Sequence, residues 1–105
     1  MRITVSHNKP KQEVMRAVDQ SFDDVFRGIG ALPLQLANEK RAWNGSVLTF
    51  SFDAKAGFLS TPIKGTIEVT DKDITVDADL GLIGKLFPAK QVNAAIEGRI
   101  RGLLT

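Results

Sequence analysis

Between Trp43 and Leu80 apolar and polar residues alternate with period two, and a segment with helical amphipathic spacing lies on either side of that block. Strands patterned this way make a sheet with one apolar face, which must be hidden. Two helical stripes are available to hide it, so the pattern predicts an α+β two-layer sandwich. The expected order is β-α-β-β-β-β-α, a mostly antiparallel curved sheet carrying two helices on one face.

Arg2 to His7 reads as the first strand, with Ile3, Val5 and His7 on one side. Asn8 is placed to cap the first helix and Pro10 to sit in its first turn. Val14, Val18, Phe22, Val25, Phe26 and Ile29 form that helix's apolar stripe, and Gly28 and Gly30 supply its stop. Leu34 to Trp43 follows as a strand, and Asn44-Gly45 is a hairpin signal leading into Val47 to Phe52. Asp53 to Pro62 is expected to be a loop or loose hairpin tip. Ile63 to Thr70 and Ile74 to Leu80 form the last two strands, turned at Asp71-Lys72-Asp73. A second helix carries Val92, Ile96, Ile100 and Leu103 on one face, with Pro88 in its first turn and Leu82 to Phe87 as a short turn ahead of it.

A chain of 105 residues has room for one core, and one α+β domain over 1–105 is expected. No apolar run is long enough for a transmembrane helix, and the start at Met1 lacks the pattern of a secretory signal. With no cysteine there is no disulfide framework, and a cytoplasmic location is expected. The 14 Lys and Arg are spread among 12 acids, for a net charge of +2, which is too dilute for a nucleic-acid surface.

Ile3 with His7, Trp43-Asn44-Gly45 leading into Leu48-Thr49-Phe50, Gly65 to Val69 with Ile74 and Val76, and Leu80-Gly81 before a terminal amphipathic helix resemble the bacterial polyhydroxyalkanoic acid system family. The likeness spans nearly the whole chain. Its landmarks His7, Trp43, Gly45, Gly65 and Leu80 are fold-forming positions. The resemblance implies a part in making, using or coating polyester storage granules and brings no active site with it. The order of elements also looks like a trimmed helix-grip architecture. Asp53 to Pro62 departs from the family as a longer connection than its members are expected to have.

No catalytic, cofactor or metal set stands out. His7 is the only histidine and has no cysteine to activate; a structural role at the start of the helix is the expectation. Asp77 and Asp79 share a strand face at about 7 Å, as paired acid-base carboxylates could, but lie opposite the apolar side and read as a solvated face. The same reading covers Asp71, Asp73 and Asp77 as a divalent-ion set. Gly28 and Gly30 follow a helix instead of opening one, the wrong setting for a dinucleotide loop. Trp43 is expected to cap the core instead of stacking a ligand.

Two apolar groups carry the binding hypotheses. Phe58 and Leu59 fall between Gly57 and Pro62, where folding back over the sheet edge competes with an exposed tip that docks on a partner. Leu82, Ile83, Leu86 and Phe87 surround Lys85, a composition suited to an interface but equally to core packing. The first functional expectation is a non-enzymatic accessory or granule-surface protein, its partners a polyester surface or granule coat proteins. The second is a small module binding an acyl or other apolar ligand between sheet and terminal helix. A hydrolase or isomerase using His7 with Asp77 or Asp79 ranks last, because the alternation sends them to opposite faces. An edge strand or apolar patch would also permit a homodimer.

Overall fold

The computed structural model describes residues 1–27 and 34–105. The expected positions Gly28, Ile29 and Gly30 lie outside the described residues. The elements run β1 (Arg2–Ser6), α1 (Lys11–Gln20), α2 (Phe22–Arg27), β2 (Gln35–Asn44), β3 (Val47–Ala56), β4 (Leu59–Val69), β5 (Asp73–Asp79), α3 (Ile83–Leu86) and α4 (Ala89–Leu103). The five strands form one antiparallel sheet in the order β1-β5-β4-β3-β2. The predicted α+β class and the order of elements along the chain, β-α-β-β-β-β-α, fit the molecule.

Alternation decides which side is covered. Ile3, Val5, Leu48, Phe50, Phe52, Ala54, Ile63, Ile67, Val69, Ile74, Val76 and Ala78 are buried on the inner face. Val14, Val18, Phe22, Val25 and Phe26 meet them from α1 and α2, as do Val92, Ile96 and Ile100 from α4. Burying each such side chain contributes about 1.5–3 kcal/mol, so this face supplies most of the drive to fold. Its densest part is aromatic: Phe22, Phe26, Phe50 and Phe52 pack with ring centroids 5.0–6.1 Å apart.

The structure corrects several local expectations. The first helix is two helices, because Ser21 (φ −113°) ends α1 and its carbonyl then accepts from Val25 at the start of α2. Asn8 is not the cap: Pro10 occupies the N-cap position without a side-chain bond. The β2–β3 turn is Gly45-Ser46, one residue later than the Asn44-Gly45 signal, since Asn44 still pairs with Val47. β2 carries a bulge between Ala37 and Lys40, with Asn38 at φ 54°.

The largest correction concerns 53–62, which is strand and not loop. β3 continues to Ala56, a two-residue turn is made by Gly57 and Phe58, and β4 returns with Asp53 opposite Pro62 and Ala54 opposite Thr61. Apart from Leu59, the inward positions there are small or polar, namely Ala54, Ala56 and Thr61, so the apolar beat weakens while the geometry persists. Pro62 is tolerated because β5 reaches only to Lys64 on β4, and its missing N–H faces no partner strand. At the other end of β5, Asp79 gives way to Leu80 and Gly81, and the chain passes into α3, which Pro88 separates from α4 as anticipated.

Candidate functional site

The long β3–β4 hairpin and the short helix α3 meet at one end of the sheet. Gly81, at φ 54°, turns the chain there in a conformation that side-chain-bearing residues seldom adopt. The Leu82 N–H then donates to the Thr61 hydroxyl at 2.9 Å, and Gly81 N–H is held by the Asp79 carboxylate at 3.0 Å. The first bond fixes the start of α3 against β4, near the hairpin tip, and the second holds the turn that follows β5.

The two apolar groups seen in the sequence are thereby brought to the same end of the sheet, where Leu59 of one shares a recess with Leu86 and Phe87 of the other. Phe58 stands at the tip and is fully exposed, with relative exposure of 104%; Leu86 and Leu82 are 59% and 43% exposed. Leu59 and Phe87 are half-buried between them and line a narrow apolar recess of about 40 Å³ with Leu34, Ala54, Ala56, Ile83 and Leu86. Phe58 does not fold back over the sheet edge. Ile83 leaves the candidate set, since it is 1% exposed and belongs to the core. Lys55 and Lys85 are exposed beside this end on β3 and α3.

His7 is occupied by the main chain. Its Nε2 lies 2.8 Å from the Thr70 carbonyl and its Nδ1 accepts the Lys9 N–H at 3.1 Å, partners that assign the proton to Nε2. The ring thus braces the turn from β1 into α1 in the place the sequence offered to Asn8. Asp77 pairs instead with Arg2 at 3.4 Å, at the far end of β1 from His7, and Asp79 holds the Gly81 turn. The residues proposed as an acid-base set are therefore not brought together. Among the described residues no group of three or more His, Cys, Asp or Glu is placed to hold a metal ion.

A polar cluster that sequence reading missed closes the opposite edge of the core. Arg41 on β2 donates to the Asp19 carbonyl at 2.7 Å and to Glu39 at 2.8 Å, with its guanidinium 5.0 Å from the Phe22 ring centroid. Trp43 donates its indole N–H to Asp19 at 3.2 Å while packing on the core. Burial pushes the Glu39 carboxyl above its ordinary value of 4.5, reinforced by a hydrogen bond and charge from Asp23 and opposed by Arg41. The signal was the bulge: it turns Arg41 and Trp43 inward, which no periodicity announces.

Two wider hollows border α4. One of about 470 Å³ runs along Met1, Ala78, Leu80, Gly84 and Val92, and another of about 670 Å³ along Arg2, Thr4, Lys90 and Glu97. Both are open to solvent and mixed in polarity. Among the described residues no helix is long and apolar enough to cross a membrane.

A family model described as "Putative polyhydroxyalkanoic acid system protein" matches residues 1–104. No curated protein and no solved structure matches the chain.

Proposed function

The chain belongs to the polyhydroxyalkanoic acid system family, and from that membership we propose that it acts as a non-enzymatic accessory protein that docks on the granule surface through its hairpin–α3 end. The observation that carries this reading is the convergence of Phe58, Leu82 and Leu86, exposed together beside a lysine-bearing rim. An apolar cluster with cationic neighbours suits an oily phase bounded by polar groups.

The magnitudes also say what kind of docking this is. Removing Phe58 and the exposed parts of Leu82 and Leu86 from water returns roughly 4–5 kcal/mol before the cost of association. That corresponds to millimolar affinity at best for one copy. Retention on a granule then depends on many copies or on linked copies, as multivalent binders do.

The alternative, an acyl ligand held between the sheet and α4, is weaker because the hollow of about 470 Å³ there is open to solvent and mixed in polarity, and the more enclosed apolar recess beside α3 is only about 40 Å³. A sizeable ligand needs about 300 Å³ or more. The enzymatic set considered from the sequence, His7 with Asp77 or Asp79, is not brought together among the described residues.

The test is co-sedimentation of the purified chain with native granules and with granules stripped of protein, beside a Phe58→Asp, Leu86→Asp variant of unchanged melting temperature. Direct adsorption predicts that the native chain pellets with stripped granules and the variant stays in solution. Pelleting with native granules alone redirects the reading to a coat-protein partner. Absence from both pellets overturns it.

A further inference from the structure

The end of the molecule where the hairpin meets α3 is one-sided in charge as well as apolar. Residues 54–61, which form the tip, carry Lys55 and no acid, and residues 80–90, which hold α3, carry Lys85 and Lys90 and no acid. Residues 28–33 add no charge to the sequence. Lys55 and Lys85 are exposed and have no carboxylate within 4.0 Å among the described residues. The flanking acids are engaged: Asp53 accepts from the Asn38 amide at 2.8 Å, and Asp79 from the Gly81 N–H at 3.0 Å.

The two lysines flank the apolar tip from opposite sides. Lys55 pairs with Ser60 across the hairpin and alternates with buried Ala54, so it belongs to the outer face; Lys85 stands on α3, next to Leu86 on the helix side. Lys55 is two strand positions from Gly57, about 7 Å, and its long stem lets the ammonium lean toward the tip while staying in water. Asp53 lies two positions farther back on the same face. Lys90 lines the hollow with Arg2 and Glu97 and stays outside this set.

We infer that the hairpin–α3 end docks on a layer of anionic lipid, with Phe58, Leu82 and Leu86 entering among the acyl chains and Lys55 and Lys85 held at the headgroup phosphates. The inference rests on the reading of this end as the contact surface and names the chemistry it meets. A polyester is uncharged and offers an ammonium no counter-charge, whereas a phosphate-bearing layer does. Charge complementarity therefore selects the lipid over the bare polymer. The magnitudes agree, because the apolar cluster alone gives millimolar affinity at best. A lysine near an anionic surface adds about fivefold, so the pair adds about 25-fold and brings one copy to tens of micromolar.

Co-sedimentation of the purified chain with two kinds of vesicle tests this, one of phosphatidylcholine alone and one with about a third of phosphatidylglycerol. The expected result is binding about 25-fold tighter to the anionic vesicles at low salt, falling to the neutral level at 1 M salt, where screening contracts to about 3 Å. Lys55→Gln with Lys85→Gln removes the preference, and Phe58→Asp weakens binding to both vesicles; melting temperatures confirm that each variant is folded. Equal binding to both vesicles overturns the inference, as does a preference that survives the lysine substitutions or the absence of binding at millimolar lipid. Polyester particles free of lipid and protein, run in parallel with native granules, separate the two readings. Pelleting with the particles and no vesicle preference keeps the granule reading and removes the lipid. A vesicle preference without pelleting on native granules does the reverse.

Discussion

The Leu82 N–H donates to the Thr61 hydroxyl at 2.9 Å, and Thr61, at 1% exposure, is the buried polar side chain recorded among the described residues. This single bond ties the start of α3 to β4 and so holds Leu82 and Leu86 beside Phe58. Thr61→Val keeps the shape and removes the acceptor, leaving the part-buried Leu82 N–H without it at a cost of about 1 kcal/mol. Urea denaturation reads the loss. Hydrogen exchange should also quicken at the Lys85 and Leu86 amides, which bond to the Leu82 carbonyl. Unchanged exchange there would show that α3 does not depend on Thr61.

Phenylalanines of this chain divide into two kinds. Phe50 is buried among Phe22, Phe26 and Phe52, and Phe50→Ala is expected to cost about 3–5 kcal/mol. Phe58 touches solvent on all sides, so Phe58→Asp should alter stability by no more than about 0.5 kcal/mol. Thermal melts of the two variants separate a residue kept for packing from one free to serve contact. A large loss at Phe58 would mean that the tip is packed in solution.

Gly65 permits β4 and β5 to approach, because a Cβ there would run into the Asp77 carbonyl and the Ala78 Cα. Both are backbone atoms that cannot swing aside. Gly65→Ala should therefore destabilise by about 1–3 kcal/mol or more, as overpacking does. Gly81→Ala should cost at least as much, since it adds an unfavourable positive φ to a collision with Thr61. Chemical denaturation of each settles the point; a neutral Gly65→Ala would require the ladder to be wider than described.

The raised Glu39 carboxyl sets a pH dependence. A carboxyl whose proton is held more tightly in the folded state contributes stability below 4.5 that is lost as pH climbs through the raised value, and the penalty is full above it. Glu39→Gln removes the charge while its side-chain oxygen can still accept from Arg41. Its melting temperature should exceed that of the native chain at pH 7, with the difference shrinking below pH 4.5. A difference independent of pH would exclude Glu39 as its source.

Much of the architecture was legible along the chain. Period-two alternation in β3, β4 and β5 and the i, i+4 spacing of Val92, Ile96 and Ile100 determined the α+β class and the covered face, because burial of one side imposes these periods on any sequence that folds so. The family likeness, carried by fold-forming residues such as Trp43 and Gly65, was legible for the same reason. What the sequence could not set was proximity between distant segments. Phe58 and Leu86 are 28 positions apart, and only the continuation of the hairpin through Ala54 and Thr61 brings them to one end. The strand hid there because its inward positions Ala54, Ala56 and Thr61 are small or polar, so hydrophobic contrast weakened while backbone pairing did not. The break at Ser21 and the bulge at Asn38 are likewise decided in three dimensions. Each depends on which strand or helix lies alongside, a property of pairing and packing that no local pattern encodes.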